Sequence, residues 1–136
     1  MNRTNTLARC AAVTGLLLAA SLAHADIVVV MAPGAAALTK DQVVSAYLGR
    51  SPELKPLDLA DGTPTRDTFY KKATDRDAAQ VKAVWSRIVF TGKGQPPKEL
   101  PDAAAVKKAV AADPKAVGYI DKSAVDASVK VVYAIE

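Results

Sequence analysis

The run Ile27-Val28-Val29-Val30-Met31 places apolar residues on both sides of a pleated strand. Successive side chains of a strand point to opposite faces, so such a run must be covered above and below. Helices packed on both faces of a sheet supply that cover, which points to an α/β arrangement. Pro33-Gly34 ends the strand. Thr39 and Gln42 then form the two halves of a capping box. Val43, Val44, Tyr47 and Leu48 give the following helix its apolar stripe, and Gly49 closes it.

The same alternation continues along the chain. Leu57 to Leu59 reads as a short strand, and Thr63-Pro64 as the N-cap and first position of a helix running to about Ala73. Asp77 and Gln80 make a second capping box. Val81, Val84, Trp85, Ile88 and Val89 follow helical spacing closely, which predicts an amphipathic helix with Trp85 in the core. Thr91 to Pro97 reads as a loop, Asp102 to Asp113 as an alanine-rich helix, and Ala116 to Asp121 and Val129 to Ile135 as strands, with a single turn within Lys122–Ala127. Strands alternating with helices predict one α/β domain over residues 26–136, with about four strands flanked by helices.

Residues 1–25 read as a signal peptide. Arg3 and Arg9 form a positive start, Ala11 to Leu22 is apolar, and Ala23-His24-Ala25 suits cleavage before Asp26. Export to the periplasm is the expected consequence. Cleavage would remove Cys10 and His24, the only cysteine and the only histidine, and lower the formal charge from +4 to +2. A mature chain of this kind has no Cys or His nucleophile, no His base and no ordinary zinc ligand set. We therefore expect no enzyme activity, no metal and no cofactor. Acids and bases are interspersed, as in Lys71-Lys72-Ala73-Thr74-Asp75-Arg76-Asp77, and aromatic residues are sparse, which argues against nucleic acid as a partner.

Some groupings invite chemistry and fall short of it. Gly92-Lys93-Gly94 lacks the spacing of a phosphate loop and follows a helix, so it reads as a helix end and a turn. The carboxylate pairs Asp75/Asp77 and Asp58/Asp61 read as surface or capping groups. Tyr47, Tyr70, Tyr119 and Tyr133 form no recognisable catalytic set.

The segment Asp61-Gly62-Thr63-Pro64-Thr65-Arg66 is the candidate site. A helix N-terminus carries unpaired N–H groups and roughly half a positive charge, so it suits an anion. The Thr63 and Thr65 hydroxyls, the nearby backbone N–H groups and the Arg66 side chain could together surround a tetrahedral oxyanion, with Asp61 accepting from a protonated oxygen. The alternative is structural: Thr63 caps its own helix and Arg66 pairs with a neighbouring acid.

Four segments, in order, resemble the phosphate-type periplasmic binding proteins of ABC importers, within the type 2 periplasmic-binding-protein superfamily. They are the strand Ile27 to Met31, the helix Leu38 to Arg50, the loop Asp61 to Phe69, and Ala116-Val117-Gly118-Tyr119-Ile120. The third is similar to the family's Asp-Gly-Ser-Gly-Thr-x-x-x-Phe, whose Ser-Gly-Thr binds phosphate. The resemblance implies one lobe of a fold that in fuller members has two, with ligand in the cleft between them. By position it makes Thr63 and Thr65 ligand residues. The sequence departs from the pattern at Leu59, where the family often has arginine, and at Pro64, which replaces a glycine and has no N–H to give.

Two functions follow as expectations. One is an exported binding protein for phosphate or a similar small oxyanion, linked to the membrane subunits of an ABC importer. The other is a periplasmic interaction or sensor module that keeps the half-fold without ligand and docks another protein or a second copy of itself, as a homodimer.

Overall fold

The computed structural model describes residues 26–135, so the expected signal peptide lies outside the described residues. Five strands form one mixed sheet: β1 (Ile27–Met31), β2 (Lys55–Leu59), β3 (Lys98–Leu100), β4 (Ala116–Asp121) and β5 (Lys130–Ile135), in the order β3-β2-β4-β1-β5. Strand β2 runs parallel to β3 and β4, whereas β1 is antiparallel to both β4 and β5. All five residues of β1 are buried, as an unbroken apolar run requires. The four helices are α1 (Lys40–Tyr47), α2 (Pro64–Thr74), α3 (Ala78–Phe90) and α4 (Ala103–Ala112), and a 3-10 turn covers Lys122–Ala124.

The α/β architecture agrees with the sequence reading, with five strands in place of about four. The additional strand, β3, is three residues long and alternates no apolar face. It is held in register beside β2, with Leu57, Asp58 and Leu59 opposite Lys98, Glu99 and Leu100. Backbone pairing to a buried neighbour creates this strand, and no local pattern announces it.

Both capping boxes form. Thr39 and Gln42 exchange bonds at the start of α1, and Asp77 and Gln80 do so at the start of α3. Trp85 is 8% exposed, and its indole N–H donates to Tyr47 O at 2.9 Å, satisfying the polar end of a buried ring. Val89 departs from the expected stripe. It is 42% exposed, and Phe90 beside it is 92% exposed. The stripe leaves the core at that point because α3 ends there, with Thr91 as its C-cap.

Helix α4 lies close on β4 because Gly118 has no side chain. A Cβ at that position would come within 2.5 Å of Val106 Cγ1, and Val106 is itself fully buried. We expect Gly118→Ala to cost about 1–3 kcal/mol through overpacking, measured as a lower midpoint in urea unfolding with an unchanged slope.

Candidate functional site

The candidate loop leaves the end of β2 at Leu59 and turns at Gly62, whose φ of +82° is a left-handed conformation that glycine adopts without strain. Thr63 follows as the N-cap of α2, with Pro64 at the first helical position. The Thr63 side chain makes no bond to the helix. Its hydroxyl instead donates to Ala60 O, and its own N–H donates to the same carbonyl at 3.2 Å. The loop is thus closed on itself, and the Thr63 proton is not free for an anion.

Beyond Pro64, the first N–H to meet a helical carbonyl is that of Asp67, to Thr63 O at 3.2 Å. The N–H groups of Thr65 and Arg66 therefore face the space in front of the helix. That space is open. Asp61, Gly62 and Pro64 are exposed, and Thr63 and Thr65 are half-buried. Asp61 is paired loosely with Lys82, at 3.6 Å, on the surface of the protein.

The Arg66 side chain lies elsewhere. Arg66 is 6% exposed and its guanidinium turns under the loop, away from the helix tip. Nη1 donates to Leu59 O at 3.0 Å and to Glu99 Oε1 at 2.8 Å, and Nε stands 3.6 Å from Asp58 Oδ2. Of the two sequence readings, this side chain follows the one in which Arg66 pairs with a neighbouring acid, and it does not line an oxyanion site with the two threonines. Its backbone N–H stays at the tip, but its charge serves two acids and a backbone carbonyl.

Asp58, read from sequence as a surface or capping group, is 2% exposed and sits at the centre of that arrangement. Tyr119 OH donates to Oδ1 and Tyr70 OH to Oδ2, while Leu59 N donates to Oδ1 at 2.9 Å. The rings behind these hydroxyls pack together. Phe69 stacks on Tyr119 with centroids 3.9 Å apart, and Tyr47 meets Phe69 edge-on at 4.7 Å. Sequence reasoning missed the set because its members lie 12 and 61 residues apart. The available signal was an acid within the apolar strand Leu57-Asp58-Leu59, where only a partnered carboxylate survives burial.

Burial pushes the Asp58 carboxyl above its ordinary value, and the bonds from Tyr119 and Tyr70 with the Arg66 charge offset only part of that rise. Burial also raises the Tyr70 and Tyr119 hydroxyls, helped by the Asp58 charge, so both remain protonated donors. For Arg66 burial acts downward, but the Glu99 hydrogen bond and the Asp58 charge outweigh it and hold the guanidinium above its usual value. No group of His, Cys, Asp and Glu suited to a metal is present among the described residues, and none of their helices is long and apolar enough to cross a membrane.

No family model matches the sequence, and no curated protein matches it at a significant level. Solved structures do share the fold. An ABC-type phosphate transport receptor from Vibrio cholerae superimposes with a TM-score of 0.61 at 18% identity, over 79% of this chain and 45% of the receptor. A Clostridium perfringens protein, described as a phosphate ABC transporter substrate-binding protein and solved with bound phosphate, gives 0.63 at 22% identity, over 79% of this chain and 44% of its own. The chain thus shares its fold with these two structures and spans just under half the length of each.

Removing the guanidinium would leave the Asp58 carboxylate buried and without a countercharge. Arg66→Ala is therefore expected to lose about 3 kcal/mol or more in chemical denaturation. The raised Asp58 value sets the sign of a pH effect. Its contribution to stability is full below the ordinary carboxylate value of 3.8 and is lost as pH rises through the higher folded value. Wild type should lose ground to Asp58→Asn as pH rises from 3.8 toward neutrality, in paired unfolding curves.

Proposed function

We propose that the protein is an exported, single-lobe receptor for phosphate or a similarly small tetrahedral oxyanion, serving an ABC importer. The observation that carries this reading is the open N-terminus of α2 in a fold shared with phosphate transport receptors. The Thr65 hydroxyl and the N–H groups of Thr65 and Arg66 would supply the donors, and the helix dipole would supply positive potential. Gly62 would give the loop its turn, and Asp61 would accept from a protonated oxygen of the anion. Thr63 would contribute through its place in the loop, since its hydroxyl is bonded to Ala60 O. The related structures are transport receptors, and the proposed role is likewise binding without turnover.

A second reading, an interaction or sensor module that binds no ligand, is favoured by one observation. The strongest charge near the tip, Arg66, is withdrawn into the fold, and Thr63 has given its proton to the loop. The comparisons lend no support to the expected homodimer.

Titration calorimetry with phosphate separates the two. The receptor reading expects saturable heat, and a loss of about tenfold in affinity in Thr65→Ala, the effect of one hydrogen bond to a charged group. Absence of heat at millimolar phosphate would overturn it and favour the docking module.

A further inference from the structure

Away from the helix tip, a hollow of about 460 Å³ lies between α3 and the approach to β3. Its size is within the range of small-molecule sites. Val81, Trp85, Val89 and Pro97 form apolar walls, and Phe90 stands at the rim almost entirely in solvent. One end is polar. There Arg66 and Glu99 lie side by side, joined through Nη1 and Oε1 at 2.8 Å, above Tyr70 and Asp58.

Three properties of this hollow bear on what it would take. The Arg66 side chain is 8% exposed, and its Nε is buried without a hydrogen-bond partner. Nε is shut off from the hollow and stands 3.6 Å from Asp58 Oδ2, so the guanidinium meets the hollow only through its slightly exposed edge. Glu99 is 53% exposed, which leaves its carboxylate an accepting side open to the hollow. The charges at the polar end also oppose each other. A bare anion would meet Asp58 and Glu99, and a bare cation would meet Arg66 and, farther along the lining, Lys82.

We propose that this hollow is a second ligand site, distinct from the oxyanion tip, for a small uncharged molecule with an apolar body and an amide-type head. The head accepts from the guanidinium and donates to the Glu99 carboxylate, while the body lies against Trp85, Val89 and Pro97. This site does not depend on the phosphate reading, because its ligand is neutral and its walls are apolar.

Trp85 is the only tryptophan, so its fluorescence reports on occupancy directly. It also borders a second hollow, near Gly49 and Gly94, whereas Val89 borders the proposed one and not that second one. Val89→Glu at that exposed position keeps the core intact and places a charge in the apolar wall. The neutral dye N-phenylnaphthylamine should quench Trp85 saturably in the wild-type protein, with quenching at least about tenfold weaker in Val89→Glu and unchanged by phosphate. Phenylacetamide should displace the dye, with phenylacetate and phenethylamine each about tenfold weaker or more. Absence of saturable quenching, equal quenching in Val89→Glu, or equal displacement by the three head groups would each overturn the proposal. A protein that gave no heat with phosphate but passed these tests would keep this site and lose only the receptor reading.

Discussion

A single buried carboxylate organises the part of the molecule that matters for binding. Asp58 gathers the hydroxyls of Tyr70 and Tyr119 and the N–H of Leu59, with the Arg66 guanidinium 3.6 Å away. These groups come from β2, α2 and β4. A charge removed from water tolerates little displacement of its partners, so the end of β2 and the start of α2 are held at a fixed separation. The loop from Ala60 to Thr63 spans that interval. Its two bonds from Thr63 to Ala60 O close the turn above the polar cluster.

This arrangement explains an exchange of roles at the tip. An arginine placed in the first turn of a helix is well situated to meet an anion in front of it. Here it is used behind the loop, where it is shared between Asp58 and Glu99 and donates to Leu59 O. The tip is left with backbone dipoles and one threonine hydroxyl as its means of attraction. The charged side chains around it are Asp61, with Lys82 3.6 Å away, and Asp67 in the first turn, so the site would discriminate by shape and hydrogen-bond count more than by Coulomb attraction.

The layers of the fold were legible in the sequence wherever the determinants were local. The valine run gave β1, the two capping boxes gave the starts of α1 and α3, and helical spacing buried Val81 and Trp85. What was not legible depended on partners distant along the chain. Strand β3 exists through pairing with β2, and nothing in Lys98-Glu99-Leu100 demands an extended backbone. The candidate loop was placed correctly on the sequence, at a glycine turn before a helix. The pairing of Arg66 with an acid was one of the two sequence readings, but Glu99 as the partner was not legible, because it enters only once β3 is aligned beside Asp58.

Strand register also decides how the molecule meets anything attached to it. Ile27 stands opposite both Asp121 and Ile135, so the first residue of β1 and the last of β5 are neighbours across the sheet. Because β2 is parallel to β4, its Leu59 end, and with it the helix tip, is at that same margin. Chain entering β1 or leaving β5 therefore does so at the margin that holds the tip. A handle attached next to Ile27 or Ile135 would crowd that margin, whereas one on the distant side, at Lys93 for example, would leave it clear.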